Sequence, residues 1–478
     1  MIVRATLTFA LVLSFSAIGA CGGSRARPVS PAPRLHYEIR ITTPPKAALR
    51  AAWTQYGPNG VLEVRAVIDD SLCPQVAFDL HRVSMQVRAA GGGDFPTLCA
   101  ATIPVGAQQA ALAFGRSPVT PPPLDPSNAI ALERAERIAN SRYDIVPLAL
   151  ATPDPQRILV LGDTGCRIKG KELQDCSDPT SWPFPVLAAK AARLKPDLVI
   201  HVGDYLYRES PCPADFKGCQ GTPFGDNWPT WDADFFAPAA PLLAAAPWVM
   251  VRGNHEDCAR AAPGFLRLIG PLPYDPAAPC PVHMAPFSIP LQNLNLVVTD
   301  NVDAPEKTLI EKAVPVYAQE FASLVKAPDP TWLLLHRPIW GLITGPLGVP
   351  IGGNLTLMAA ATAAGIPAPV SLMLSGHIHS FEAINYESPK RIPPQIVAGF
   401  GGDRLDPSPD NLRGAIFQGS YGVGVKDGIS VGGFGFLLMT KTGQAWTIDV
   451  YDWQGQITRQ CLFHGGRIDC PPERNRRR

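Results

Sequence analysis

From Ile158 onward the chain repeats one unit, a short continuous apolar run followed by a break rich in Gly, Asp, Asn or His. The runs are Ile158-Leu159-Val160-Leu161, Leu198-Val199-Ile200-His201-Val202, Trp248-Val249-Met250-Val251, Leu296-Val297-Val298, Trp332-Leu333-Leu334-Leu335, Leu372-Met373-Leu374 and Ile396-Val397-Ala398. Runs this short with no polar face predict strands buried on both sides. Helical candidates lie between them at Val186–Leu194, Phe235–Ala245, Val316–Lys326 and Leu355–Ala364. Strands alternating with helices predict an α/β fold whose sheets pack as an inner layer. Late strands near Gly435–Thr440 and Thr447–Val450 would close it.

Five of the breaks carry residues that bind metals. In order they are Gly162-Asp163-Thr164-Gly165, Gly203-Asp204-Tyr205-Leu206-Tyr207, Gly253-Asn254-His255-Glu256, Leu335-His336-Arg337-Pro338 and Gly376-His377-Ile378-His379. Ligands of α/β sheets gather where strands end, so one pocket could collect all five. Each segment has a plainer reading. Gly-Asp is commonly a turn, Tyr207 alone would be a packed aromatic, and His336 alone a hydrogen-bonded loop histidine. His201 lies inside a predicted strand and reads as a core or supporting residue. Together, however, carboxylates, a phenol, an amide and imidazoles in this order point to two metal ions.

The five segments resemble the binuclear metallophosphoesterases of the calcineurin-like superfamily, whose pattern runs Asp-x-His, Gly-Asp, Gly-Asn-His-Asp/Glu, His, Gly-His-x-His. Within it they are similar to the purple acid phosphatases, which replace the first His with Gly and add Tyr three residues after the second Asp. Gly165 and Tyr207 stand at those two positions. The resemblance spans about residues 157–402 and implies a four-layer sandwich of sheets flanked by helices. It also implies Asp163, Tyr207 and His379 on one metal, Fe(III), and Asn254, His336 and His377 on a divalent Zn, Mn or Fe ion, with Asp204 bridging. The implied reaction is hydrolysis of phosphate esters of small substrates by a metal-bound hydroxide, in the manner of an acid phosphatase. His255 and Asp204 carry the catalytic roles, His255 by contacting phosphate or protonating the leaving oxygen. Glu256 could orient that imidazole or serve a structural salt bridge. One departure is that no His lies between His336 and His377, where some relatives place phosphate contacts; Arg337 could substitute or hold its loop. Two other readings stay open on the residues alone: a phosphodiesterase or nucleotide pyrophosphatase using the same centre, and a surface-binding lipoprotein without turnover.

Around this core, alternation at His36–Ile41, Leu62–Val67 and Val83–Val87 predicts a β-rich N-terminal domain over 35–115. A proline-rich linker, with a short helix near Ala129–Ala139, would join it over 116–150 to a catalytic domain spanning 151–465, and a tail covers 466–478. Gly399-Phe400-Gly401-Gly402 would let backbone approach the pocket, and Phe224, Trp228, Trp231, Phe235 and Phe236 form a packed cap or one wall.

The opening Met1-Ile2-Val3-Arg4, the apolar run that follows it and Ile18-Gly19-Ala20-Cys21 form a signal peptide, residues 1–20, with a lipobox-like end. Lipidation of Cys21, followed by a tether over 21–34, predicts an exported bacterial envelope lipoprotein, and Gly22 favours the outer membrane; ordinary cleavage with an incidental Cys is the alternative. Ten further cysteines, an even number without a Cys-x-x-Cys pair, predict disulfides in an exported chain. Sequence leaves connectivity open, though neighbours would pair as 73–99, 166–176, 212–219, 258–280 and 461–470. A formal charge of +1 offers no footprint for nucleic acid, and membrane contact would come only through the lipid. Oligomeric state is not legible.

Overall fold

A computed structural model describes residues 49–69, 72–115, 143–345, 348–409, 411–415, 417, 419 and 422–471. The signal segment, Cys21, the tether, the helix near Ala129–Ala139, most of the proline-rich linker and the last residues of the tail lie outside this set.

Two sheets make the inner layers. In the first, Arg157–Leu161, Leu198–His201 and Trp248–Met250 run parallel. In the second, Asn295–Val298, Thr331–Leu334, Val370–Ser375 and Gln395–Ala398 do the same. Successive side chains on a strand point to opposite faces. Ile158, Val160, Ile200 and Val249 therefore meet Val298, Leu334, Leu374 and Ile396 in one buried cluster between the sheets. Leu159, Leu161, Val199 and Trp248 point the other way, against helices Phe184–Arg193 and Ala237–Leu243. On the far side Val297, Leu333 and Met373 pack on helices Val314–Ser323 and Leu355–Ala364. Both faces of each sheet are covered, which is why the strands lack a polar face. The four-layer order α, β, β, α is the architecture the sequence predicted.

Helix boundaries follow local chemistry. Asn354 Oδ1 accepts the Leu357 N–H at 3.0 Å, and Gly365 at φ 75° ends the same helix, so Leu355–Ala364 sits where its pattern placed it.

The N-terminal region is β-rich, as expected, but four of its strands are not a free-standing body. Leu49–Tyr56, Leu62–Ile68, Thr97–Ile103 and Gln86–Ala89 continue the first core sheet, entering parallel to Trp248–Met250. Arg65, fully buried, clamps the junction by donating to the carbonyls of Leu268 and Gly270. The predicted alternation across Val83–Val87 is broken at Met85, giving strands His81–Ser84 and Gln86–Ala89 in different sheets. The end of the expected linker is a strand, Tyr143–Pro147, paired with Ala110–Gly115. At the other end, Ile457–His464 and Arg467–Asp469 form a hairpin across the expected boundary at 465, so the catalytic sheet runs into the predicted tail. Local pattern marks strands but not partners, and these boundaries depend on partners.

All five neighbouring cysteine pairs are closed as disulfides: 73–99, 166–176, 212–219, 258–280 and 461–470. Among the described residues no helix is long and apolar enough to cross a membrane.

His283 ties the segment before the second sheet to helix Val314–Ser323. The carboxylates of Asp303 and Glu320, 3.6 and 2.7 Å from its ring nitrogens, push the imidazolium up to about 10. A raised folded-state value means that this contribution is complete below the unfolded value of about 6.5 and is lost as pH rises toward 10. In chemical denaturation, the stability gap between the parent and His283→Gln should narrow steadily from pH 6.5 to 10; a constant gap would refute the ion pair.

Candidate metal centre

Parallel strands end on one edge, and the five metal-type segments leave the two sheets there. The turns are tight enough that Asp163, Asp204 and His377 adopt φ of 57°, 60° and 70°. Asp and His tolerate this left-handed region better than most residues, at a cost of order 1 kcal/mol each. The surroundings impose it. The Asp163 N–H donates to Gly203 O at 3.0 Å, the Thr164 N–H to Asp204 O at 3.1 Å, and the His377 N–H to Asp163 Oδ2 at 3.0 Å. Gly253 must lack a side chain, because a Cβ there would lie 2.1 Å from Asp204 Oδ1.

Seven predicted residues converge. Tyr207 Oη lies 3.1 Å from Asp163 Oδ1, 2.9 Å from Asp204 Oδ2 and 3.2 Å from His379 Nε2. Asp204 Oδ2 is also 3.2 Å from His336 Nε2, which is 3.1 Å from Asn254 Oδ1. Donor atoms of Asp204, His336 and His377 all fall within 4.8 Å of one another. Asp204 thus belongs to two adjoining donor groups. Donors about 2.1 Å from one ion stand about 3 Å apart when adjacent, which matches these spacings.

Ring orientation is set from behind. His336 Nδ1 is 2.8 Å from Val202 O and His379 Nδ1 is 2.7 Å from Arg404 O, so each Nδ1–H donates to a carbonyl and leaves Nε2 with its lone pair. His377 is the reverse: Nε2 lies 2.8 Å from Glu306 Oε1, leaving Nδ1.

The cluster's electrostatics call for added positive charge. Burial and the carboxylates of Asp163 and Asp204 push the Tyr207 phenol well above its ordinary range. Burial opposes charge on His336 and His379, yet Asp204 raises the former to about 9, and Asp403 with Asp163 raises the latter to about 10. Without a cation the carboxylates favour the protonated, charged forms of His336 and His379, whereas burial lowers His377. A bound cation displaces those protons and supplies the same charge, so the donor set fits metal ions.

A Cβ on Gly165 would stand 2.7 Å from Tyr205 O and 2.9 Å from both Asp234 Oδ2 and Tyr207 Cδ2, so this loop, with Tyr207 packed on it, leaves no room for a side chain there. Arg167 caps the tyrosine, 5.1 Å over its ring, and pairs with the buried Asp403, which itself approaches His379 Nδ1 at 3.4 Å.

His255 sits beside the centre, its ring centroid 3.9 Å from that of Tyr207 and Nε2 3.9 Å from Asp204 Oδ2. Its partner corrects the sequence reading. Glu209, not Glu256, lies 2.5 Å from His255 Nδ1. Burial alone would raise the Glu209 carboxyl, but His255, Lys169 and Arg260 bring it down to about 2. Glu256 instead accepts backbone N–H groups of Asp204, Tyr205, Leu206 and Gly253, stapling two loops together. His201 is a buried support, with Nε2 3.0 Å from Thr164 Oγ1. The run Gly399–Gly402 packs on the Asp163 loop, since a Cβ at Gly399 would meet Asp163 Oδ2 at 2.8 Å and one at Gly401 would meet Gly162 O at 2.5 Å. Trp228, Trp231, Phe235 and Phe236 are buried cap residues, whereas Phe224 is exposed.

Sequence reasoning missed Glu209, Glu306, Asp403 and Arg167. They act on ligand-type residues from loops without periodicity, and only the chain's path shows their targets.

Two stacked sheets with a buried donor cluster at their strand ends fit a phosphoesterase hydrolase. The family profile of the calcineurin-like phosphoesterases matches residues 156–381. Among solved structures, purple acid phosphatase PPD1 from yellow lupin (Lupinus luteus) seeds superposes with a TM-score of 0.52 at 13% identity, covering 87% of this chain and 74% of that one, a likeness of fold. A structure of PhoD gives 0.48 at 12% identity, with 88% and 92% covered. GAP50 of Plasmodium, described as the anchor in the inner membrane complex, gives 0.40 at 14%, with 67% and 90% covered. No curated protein matches the chain significantly by sequence.

Because Glu256 satisfies four buried N–H groups, Glu256→Ala should cost at least about 2 kcal/mol of stability. Urea unfolding of the two proteins would show this, and an unchanged midpoint would mean that the loops hold without the carboxylate.

Proposed function

We propose that this protein hydrolyses phosphate monoesters at a centre of two metal ions. The carrying observation is the placement of Tyr207 Oη within 3.2 Å of oxygen or nitrogen atoms from Asp163, Asp204 and His379. Those four residues would hold one ion. A phenolate among carboxylates suits a hard trivalent cation, hence Fe(III). Asn254, His336 and His377, with Asp204 shared, would hold a divalent Zn, Mn or Fe ion. When bound, such a pair lowers the pKa of a coordinated water and neutralises phosphate oxygens.

The remaining roles fall to this chain's own side chains. His255, with Nδ1 on Glu209 and Nε2 turned to the centre, is oriented to donate a proton to the leaving oxygen. Glu209 sets a carboxylate against the ring; Glu256 keeps the loops carrying Asp204 and Asn254 at their spacing. The buried cluster between the sheets keeps bulk water from the rear of the site. Fold likeness to the lupin purple acid phosphatase and the Gly165–Tyr207 pairing support the acid-phosphatase type.

Metal analysis with a visible spectrum tests this reading. The parent should carry close to two metals per chain including iron, and a broad visible band should vanish in Tyr207→Phe. Asp204→Ala should lower monoesterase turnover more than about a hundredfold. Preference for an aryl bis-ester over the monoester would make the enzyme a diesterase; two metals without the band would remove iron–tyrosinate.

We further propose that the chain is exported and lipid-anchored through Cys21, a reading supported by the lipobox-like sequence and by five disulfides suited to an oxidising compartment. Labelled palmitate should enter the parent in a bacterial host and fail to enter Cys21→Ala; equal labelling would overturn the anchor.

A further inference from the structure

Arg337 stands at the divalent side of the centre with an unused face. It follows His336 directly, at the end of strand Thr331–Leu334. Its backbone is held from both sides by Asn301, whose Oδ1 accepts the Arg337 N–H at 3.1 Å and whose Nδ2 donates to Arg337 O at 2.7 Å. The side chain therefore leaves from a fixed point.

One end of the guanidinium is committed. Nη1 pairs with the Glu306 carboxylate and lies 3.2 Å from His377 Nε2. The Glu306 loop is itself anchored, because its carbonyl accepts the Leu355 N–H. The other edge is not committed. Nε is buried and has no hydrogen-bond partner among the described residues, although the side chain is only 9% exposed. A buried donor without a partner costs roughly 1–3 kcal/mol, so its persistence calls for an acceptor that arrives from outside the chain.

The geometry points to Arg337 as the residue that grips a substrate phosphate oxygen at the divalent side of the centre. Glu306 holds Nη1, leaving the Nε–Nη2 edge of a planar fork. That edge presents two parallel donors, the arrangement that matches two oxygens of one phosphate. Nη1 meets His377 at Nε2, the ring nitrogen opposite the one left for a metal, so the guanidinium stands one side chain out from the donor group of Asp204, His336 and His377. This assignment rests on the phosphoesterase reading and deepens it by naming a residue that selects for a dianionic, unblocked phosphate group.

The competing role is structural, with Arg337 merely bracing Glu306 and through it His377. Arg337→Lys separates the two, since a lysine keeps the ion pair with Glu306 but has no forked edge. The test is calorimetric binding of inorganic phosphate to the metal-loaded full chain, with metal content measured on each sample. Arg337→Lys should bind phosphate about tenfold more weakly at parental metal content, with a matching rise in KM for a monoester. Parental phosphate affinity in Arg337→Lys, loss of phosphate affinity only in step with lost metal, or no phosphate binding by the parent would each overturn the assignment. Arg337-dependent phosphate binding in a parent that hydrolyses no ester would keep the assignment and remove the proposed activity. Normal hydrolysis with unaltered binding in the variant would do the reverse.

Discussion

The structure turns on the buried carboxylate of Asp204. It is carried by the first sheet, and its Oδ2 reaches Tyr207 at 2.9 Å on its own loop and His336 at 3.2 Å from the second sheet. Its Oδ1 accepts the His255 N–H at 2.8 Å. A buried anion is stable only when opposite charge or donors surround it. His336 and His255 supply that here, holding the Asp204 carboxyl well below its ordinary range against the cost of burial. The two sheets are thus joined at their strand ends by electrostatics and along their faces by apolar packing.

That joint stays open to chemistry because polar groups behind it are satisfied elsewhere. Glu256 takes four backbone N–H groups, Val202 and Arg404 carbonyls take the Nδ1 protons of His336 and His379, and Asp403 is paired with Arg167. Each supporting group uses its own hydrogen bonds away from the centre. Precision in such a site comes from these outer contacts as much as from the donors themselves.

Some of this was legible in one dimension. Apolar runs without a polar face announced strands covered on both sides, and the order of Asp, Tyr, Asn and His after them announced a metal-type cluster. Gly165 with Tyr207 was readable as a paired departure, while the crowding at Gly165 by Tyr205 O, Asp234 and the Tyr207 ring is visible only in space. Glu256 shows the converse. Its position next to His255 suggested a partner, yet the short turn sends the carboxylate back to the Asp204 loop, and Glu209 takes the imidazole. Proximity in sequence is a poor guide inside a tight loop, because neighbours in the 3-10 turn Asn254–Glu256 leave it in different directions.

By itself, then, the sequence determined the layers, the strand ends and the residue types that meet there, because burial and turn chemistry are local properties. Tertiary structure decided which carboxylate serves which imidazole, that the N-terminal strands join the first core sheet at Trp248–Met250, and that Arg337 is fastened at one end only. Those outcomes depend on distances between segments far apart in the chain. Pairing of sheets sets such distances, and no local pattern encodes them.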